Sequence, residues 1–143
     1  MARVLSLIMA AALASAFSIS ARAAEPLGMW LVQDRTAKVR IAACGHALCG
    51  VVAWLSEPND KDTGKPQLDK LNADPNMRGR PIMGVPILMS MEREAGKWAG
   101  RIYNPDDGNT YRGTLEILNP RQLMLRVCVA VVYCQTETWV KSD

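Results

Sequence analysis

The sequence is poor in the residues on which most catalytic and metal sites depend. It has a single histidine, His46, so a multi-histidine metal centre is excluded. Downstream of residue 23 the only serines are Ser56, Ser90 and Ser142, and none lies in a G-x-S-x-G nucleophile context. We therefore predict no catalytic residue, no metal site and no cofactor.

Paired carboxylates are the one enzymatic arrangement that this inventory leaves open. Asp106 or Asp107 could act with Glu137, because acid-base pairs of carboxylates need no local sequence signature. The run Asp106-Asp107-Gly108 is also typical of a hairpin turn. We favour the turn, and expect the protein not to be an enzyme.

The chain also has little net charge once its first residues are set aside. Arg3 and Arg22 are two of its 17 basic residues, which leaves 15 to balance 14 acidic ones. Nothing resembles the basic stripe that nucleic-acid binding requires, so nucleic acid is excluded as a partner. Residues 24–143 suffice for one domain with one core.

Only the N-terminus has a long apolar run. Arg3 precedes the apolar run Val4–Phe17, and Ala21-Arg22-Ala23 fits an A-x-A cleavage site. This pattern predicts a signal peptide over residues 1–23. The alternative is a membrane anchor, but the run falls short of the roughly 18 to 20 apolar residues of a span. We expect a periplasmic or secreted protein over residues 24–143, with no membrane span.

Hydrophobic periodicity in this domain is close to two residues, which predicts strands. Val39 and Ile41 alternate with Lys38 and Arg40, for example. Turn signals such as the Pro- and Gly-containing stretch 104–108 separate the runs. About eight strands result, near residues 27–33, 37–44, 48–55, 85–91, 96–103, 110–118, 121–128 and 132–140. The expected fold is all-β, a small antiparallel up-and-down barrel with one long loop.

The four cysteines fall into two closely spaced pairs, Cys44 with Cys49 and Cys128 with Cys134. Each spacing allows the two residues to face each other across a hairpin, within disulfide range. Four cysteines allow three connectivities, of which the two local bridges suit a meander best. Strand parity places both bridges on the outside of the barrel. A zinc or redox role is the competing interpretation, but neither spacing is C-x-x-C.

The polar segment Glu57–Pro81 is the long loop of this prediction, and loops of that length often act as lids or binding loops. A short helix could form over Gln67–Ala73. Arg78 and Arg80 could form a fork for a carboxylate or phosphate at the barrel mouth. Pairing with the loop's own aspartates is the simpler interpretation, and we favour it.

The same loop contains Asp60-x-Asp62-x-Gly64, in which alternate carboxylates hint at calcium. The match to an EF-hand fails in detail, because the glycine falls one place early. Leu71 also occupies the position of the bidentate glutamate. We do not predict a calcium site.

Strand parity also identifies candidate ligand contacts. If Cys134 points outward, Gln135 and Glu137 point into the barrel, but one β-bulge would reverse this direction. Both directions remain open. The other candidate contacts within the barrel are aromatic: Trp54, Trp98, Tyr103 and Tyr111. The two tyrosines flank the 104–108 turn, where such residues are more often cross-strand partners than a stacking platform for a ligand.

Several sequence blocks resemble a family of small exported bacterial proteins, family 2147 of the domains of unknown function. The blocks are Gly28-Met29-Trp30, Cys44–Gly50, Asn59-Asp60, Arg78–Pro81, Ile102–Gly108, Tyr111 and Thr138-Trp139. The resemblance implies an exported, lipocalin-like barrel without an established activity. Gly28-x-Trp30 is similar to the lipocalin opening motif, whose Trp packs against a basic residue from the chain's end. Here that residue would be Lys141, where lipocalins favour Arg.

Two hypotheses of function follow. In the first, the barrel binds a small apolar or amphipathic ligand and the Glu57–Pro81 loop is its lid. In the second, the interior is packed solid, and the protein is a disulfide-stapled envelope module. Arg78 or Arg80 would then contact another envelope protein. The volume of the interior cavity discriminates between the two.

Overall fold

A computed structural model of the protein describes residues 24–143, and the predicted signal peptide lies outside this range. Eight strands are present: β1 Gly28–Leu31, β2 Ala37–Cys44, β3 Ala47–Leu55, β4 Pro86–Glu94, β5 Lys97–Asn104, β6 Asn109–Asn119, β7 Gln122–Ala130 and β8 Tyr133–Ser142. Each strand pairs antiparallel with the next, and β8 pairs with β1. The prediction of an eight-stranded all-β barrel is confirmed. Within residues 24–143 no helix is long and apolar enough to cross a bilayer.

The up-and-down order gives the barrel two different ends. The β2–β3, β4–β5 and β6–β7 turns and both termini of the described chain lie at one end, here named the closed end. The other four connections, including the long one between β3 and β4, lie at the open end. Large inward side chains fill the closed half, among them Trp30, Met91, Trp98, Leu115 and Leu123. Most of the core therefore lies in this half.

Trp30 closes the base of the barrel. Its indole Nε1 donates to the carbonyl oxygen of Pro26 at 2.9 Å. The Lys141 ammonium lies 4.6 Å from the indole ring centre and also donates to the carbonyl of Leu27. A cation over the face of a Trp ring is attracted by the ring quadrupole. The pairing of Trp30 with a basic residue from β8, expected from the family resemblance, is therefore present with Lys in the basic position.

Disulfide bonds join Cys44 to Cys49 and Cys128 to Cys134, with Cα atoms 5.8 and 4.0 Å apart. Both bridges were predicted, and both lie outside the barrel. Cys128 stands directly opposite Cys134, but Cys44 stands opposite Ala47. The first bridge is therefore diagonal, which corrects the expectation of a directly opposed pair. Two structural disulfides indicate a protein that works outside the reducing cytoplasm.

The long loop, residues 57–81, is irregular. The helix expected over Gln67–Ala73 is absent, and one turn of 3-10 helix at Pro75–Met77 is the only helix within residues 24–143. The loop's two limbs are instead held against each other by single β-bridges, Leu68 with Pro81 and Asn59 with Pro66. The Asp69 N–H donates to the Arg80 carbonyl and the Ile82 N–H donates to the Gln67 carbonyl, both at 2.9 Å, so the extended pairing uses backbone groups that a helix would need.

Candidate functional site

A cavity of about 1050 Å³ occupies the open half of the barrel and reaches the surface beneath the long loop. Its deeper wall is apolar, formed by the inward side chains Val39, Val52, Leu125, Val127 and Trp139. The three valines and Leu125 are smaller than the tryptophans of the closed half. The interior therefore stays open above Trp139 instead of being filled by side chains.

Glu137 and Gln135 of β8 both line this cavity. The pairing of β7 with β8 runs without interruption from Gln122 to Cys128, so no bulge reverses the parity at Glu137. The Trp139 indole Nε1 donates to Glu137 Oε2 at 3.0 Å. This bond fixes the carboxylate against the cavity wall. The Glu137 side chain therefore faces the cavity, and it remains exposed to solvent there.

Acidic side chains dominate the charged part of the lining. They are Asp34, Glu57, Asp106, Asp107 and Glu137. Lys70 is the one basic residue in the lining, and its ammonium forms a salt bridge to Asp60 at 2.9 Å. Clefts lined by one sign of charge concentrate ligands of the opposite sign. The mouth therefore disfavours anionic ligands.

Asp107 is held within the β5–β6 turn. Its carboxylate accepts hydrogen bonds from Tyr111 Oη at 2.6 Å and from the Asn109 backbone N–H at 2.9 Å. Partial burial would raise the pKa of Asp107, but these bonds outweigh that effect and lower it. The hydrogen bond to Asp107 in turn raises the pKa of Tyr111. Asp107 is therefore an ionised carboxylate whose hydrogen bonds stabilise the β5–β6 turn. This supports the interpretation of Asp106-Asp107-Gly108 as a hairpin turn over a role in acid-base catalysis.

A buried carboxylate anchors the long loop to the barrel. Asp69 is fully buried and accepts a hydrogen bond from Tyr103 Oη on β5 at 2.5 Å. Asn72 Nδ2 donates to it at 2.8 Å, and Arg80 donates through Nε and Nη2, both at 2.9 Å. We name these four residues the Asp69 cluster. It joins the two limbs of the loop to the barrel wall.

The Asp69 cluster perturbs both of its acidic groups. Burial alone would raise the pKa of Asp69, but the bonds from Tyr103, Asn72 and Arg80 lower it below its ordinary value of 3.8. Burial, and then the neighbouring Asp69 carboxylate, raise the pKa of Tyr103 from 10.0 to about 12. The carboxylate is therefore ionised and the phenol neutral across the physiological range.

We expect the wild-type protein to lose stability between about pH 10 and pH 12. Tyr103 has a higher pKa folded than unfolded, so its contribution is complete below pH 10 and is lost as pH rises through the folded value. A rise of two pH units in a pKa corresponds to about 2.7 kcal/mol. Urea unfolding at pH 9 to 12 measures this loss. The loss should be smaller in Tyr103→Phe, where the raised pKa of Tyr111 still contributes, and unchanged in the control Tyr133→Phe; an equal loss in Tyr103→Phe would contradict the assignment.

Four of the predicted ligand contacts lie away from the cavity: Trp54, Trp98, Arg78 and Arg80. Trp54 was expected inside, but 41% of it is exposed, and its ring lies 5.5 Å from the Lys38 ammonium. Val39 pairs with Val52 whereas Lys38 pairs with Trp54, so Ala53 is the extra residue of a bulge that turns Trp54 outward. Trp98 is buried in the closed half. Arg78 donates through Nε to the Asn72 carbonyl at 2.8 Å.

The structure gives different positions to the predicted contacts Arg80, Tyr103 and Tyr111. Arg80 is not part of a ligand fork, because the buried Asp69 carboxylate takes its guanidinium; the favoured pairing within the loop is what the structure shows. Tyr103 borders the cavity, but its hydroxyl is used by the Asp69 cluster. Tyr111 lines the mouth. Of the eight candidate contacts, the structure brings Gln135, Glu137, Tyr103 and Tyr111 to the cavity.

Asp60 has a structural role in its own turn. Its carboxylate accepts hydrogen bonds from the backbone N–H groups of Asp62 and Thr63, both at 3.1 Å, and pairs with Lys70. The hydrogen bond from Lys70 and those two N–H groups lower the pKa of Asp60 to about 2. These partners account for the Asp-rich pattern of the segment.

Sequence reasoning did not identify Asp69 as a buried anchor, or Leu68 and Leu71 as residues of the cavity mouth. Asp69 looks like any loop aspartate, since its partners lie up to 34 residues away in the chain. Leu68 and Leu71 of the long loop line the cavity mouth. An apolar residue at both positions of an otherwise polar segment was the available signal that this part of the loop faces the cavity.

Comparisons with known proteins agree with this architecture. A Helicobacter pylori protein described as belonging to the lipocalin family superimposes with a TM-score of 0.69, at 22% sequence identity, over 83% of this chain and 84% of that one. Among curated proteins none matches the chain. The profile of a family described as uncharacterized proteins conserved in bacteria matches residues 28–141. The chain belongs to that family, number 2147 of the domains of unknown function.

Proposed function

We propose that this protein binds a small amphipathic molecule whose apolar part enters the barrel and whose neutral or cationic polar part lies at the mouth. The observation that carries the proposal is the open cavity of about 1050 Å³ with an apolar inner wall. Sites for small molecules are typically clefts of roughly 300–1,000 Å³ lined by hydrophobic side chains with a few polar groups. Glu137, held by Trp139, is such a polar group.

The competing hypothesis was a solid interior with a function confined to the surface. Protein interiors are normally packed to the density of organic crystals, and open volume within them forfeits dispersion contacts. The closed half of this barrel, around Trp30 and Trp98, follows that rule. An open half lined by valines and leucine is what a ligand compartment requires, so we favour the binding function.

The long loop fits the role of a lid. Leu68 and Leu71 lie at the cavity mouth, and both are largely exposed. The loop is anchored close to them by Asp69, which leaves these two leucines free to contact the apolar part of a ligand. A ligand that covered these leucines would bury apolar surface that now faces water, which favours binding by roughly 25 cal/mol per Å² of buried surface.

A direct test is native mass spectrometry of the protein purified from the periplasm, where we expect it to reside, beside a denatured sample. A mass excess that disappears on denaturation would reveal a bound molecule. Titration with N-phenyl-1-naphthylamine, a neutral apolar dye, then measures the cavity itself. We expect this dye to bind more tightly than the anionic dye 1-anilinonaphthalene-8-sulfonate, because the mouth is acidic. No enhancement of dye fluorescence and no mass excess would refute the proposal.

Filling the cavity should abolish binding without unfolding the barrel. Val127 points inward from β7 and lines the cavity, so the indole of Val127→Trp would occupy ligand space. We expect the affinity for N-phenyl-1-naphthylamine to fall at least about tenfold, equivalent to roughly 1.4 kcal/mol. Val140→Trp places the same ring on the exposed outer side of β8 and is the control. Equal affinities in the two variants would show that the dye binds elsewhere.

A further inference from the structure

The β7–β8 hairpin ends in an exposed apolar tip, defined here as residues 129–133. Val131 is 99% exposed and Val132 is 93% exposed, and the flanking Val129 and Tyr133 are both more than half exposed. The disulfide between Cys128 and Cys134 closes the base of the tip. The tip is therefore a short apolar protrusion held in place by a covalent bond.

Such a protrusion is unusual on a protein surface. Isolated exposed hydrophobic residues are ordinary, but contiguous ones mark sites of interaction. Burial of a valine side chain stabilises a protein by about 1.5 kcal/mol or more. The adjacent Val131 and Val132 are almost fully exposed and do not contribute this stabilisation. The disulfide also holds the two strands of the hairpin together at the base of the tip.

Three arginines form a basic patch on the outer wall beside the tip: Arg101 on β5, Arg112 on β6 and Arg126 on β7. All three are exposed. Arg101 stands directly opposite Arg112, and Arg112 stands directly opposite Cys128. No salt bridge involves any of the three within residues 24–143. Like charges directly opposite in a sheet are destabilising, so the patch is suited to an anionic partner outside the chain.

We propose that the apolar tip and the arginine patch together dock this protein on the surface of a bilayer that contains anionic phospholipids. Val131 and Val132 enter the interface, and the guanidinium groups contact lipid phosphates. Arg112 is level with Cys128, and Val131 lies three residues further along the chain. At about 3.3 Å per residue this places the valines roughly 10 Å beyond the patch. Apolar faces of interfacial segments are buried by about 5–10 Å, so the two features match the depth of the headgroup region.

Two further observations favour a bilayer over a protein partner. The four side chains of the tip offer far less area than the roughly 800 Å² per partner of a stable protein interface. Tyr133, which has an apolar ring and a polar hydroxyl, is the kind of residue enriched at membrane interfaces. Val129 also lines the cavity, so the tip borders the cavity mouth. The docking proposal goes beyond ligand binding and does not depend on it.

The test is co-sedimentation of the purified protein with vesicles of phosphatidylethanolamine and phosphatidylglycerol, beside vesicles of phosphatidylcholine alone. We expect binding to the anionic vesicles that weakens as salt is raised. The double variant Val131→Asp/Val132→Asp should bind at least about tenfold less. Its control is Leu118→Asp, an exposed apolar position on β6 near the closed end. Arg112→Gln/Arg126→Gln should remove the preference for anionic vesicles, whereas Arg40→Gln, on the outer face of β2, should not.

Several results would overturn the docking proposal. One is a wild-type protein that does not sediment with anionic vesicles; another is a Leu118→Asp variant that loses binding as fully as the tip variant. A wild-type dimer that the tip substitutions convert to a monomer, measured by analytical ultracentrifugation, would assign the tip to a second copy of the chain. The dye affinity of the tip variant separates the two proposals, because it should equal that of the wild type.

Discussion

Replacing Asp69 with alanine is expected to lower the free energy of unfolding by about 3 kcal/mol, in the range found when one partner of a buried ion pair is removed. Asp69 is fully buried and holds Tyr103, Asn72 and Arg80. Without the carboxylate, the Arg80 guanidinium loses its counter-charge and the Tyr103 hydroxyl loses its acceptor. The long loop would then separate from β5.

Urea unfolding of Asp69→Ala beside Asp62→Ala measures this effect. Asp62 is an exposed aspartate of the same loop, and its replacement should change the unfolding free energy by less than about 0.5 kcal/mol. Acid provides a second measurement, because the pKa of Asp69 is lower folded than unfolded. Its contribution is present above 3.8 and is lost as pH falls through the folded value. Asp69→Ala should lose less stability in acid than the wild type, because the lowered pKa values of Asp60 and Asp107 remain. A variant as stable as Asp62→Ala would refute the anchoring role.

The barrel itself could be predicted because its determinants are local. Alternation such as that of Val39 and Ile41 with Lys38 and Arg40 fixes which face of a strand is buried. The cysteine spacings then fix the two hairpins that they bridge. The same counting predicted that Gln135 and Glu137 would face inward if no bulge intervened, and none does.

The sequence-based predictions were wrong or incomplete where contacts between distant residues decide the position of a side chain. Strict alternation places Trp54 inside with Leu48 and Val52, but the bulge at Ala53 turns it outward. A bulge is a property of the pairing between two strands, and a single strand's sequence does not record it. The Asp69 cluster is similar, because its members come from both limbs of the loop and from β5.

The cavity was the least predictable feature. Its volume depends on how far the valines of β2, β3 and β7 leave the interior unfilled, which is a sum over all eight strands. Composition reports the number of large side chains but not the half of the barrel they occupy. In this protein Trp30 and Trp98 both lie in the closed half. That uneven distribution, more than any motif, creates the candidate site.

Replacing Gly108 with alanine should displace the long loop from the barrel mouth. Gly108 lies in the β5–β6 turn at φ +73°, and a Cβ there would come within 1.6 Å of the Leu71 carbonyl oxygen. The Gly108 carbonyl also accepts a hydrogen bond from the Ala73 N–H at 3.1 Å. The obstacle is backbone, so no side-chain rotation can relieve the clash, and either the turn or the loop must move.

The matched control for this substitution is Gly64→Ala in the long loop. Gly64 has φ +66°, and nothing lies within 4 Å of the new Cβ. It should cost only the left-handed backbone penalty of roughly 1–2 kcal/mol, whereas Gly108→Ala should cost at least about 1 kcal/mol more. If the loop is the lid, Gly108→Ala should also speed release of N-phenyl-1-naphthylamine in a stopped-flow measurement, and Gly64→Ala should not. Equal stability of the two variants would contradict the contact between the turn and the loop. A destabilised Gly108→Ala with unchanged dye release would keep that contact but refute the lid, because the displaced loop would then not control access to the cavity.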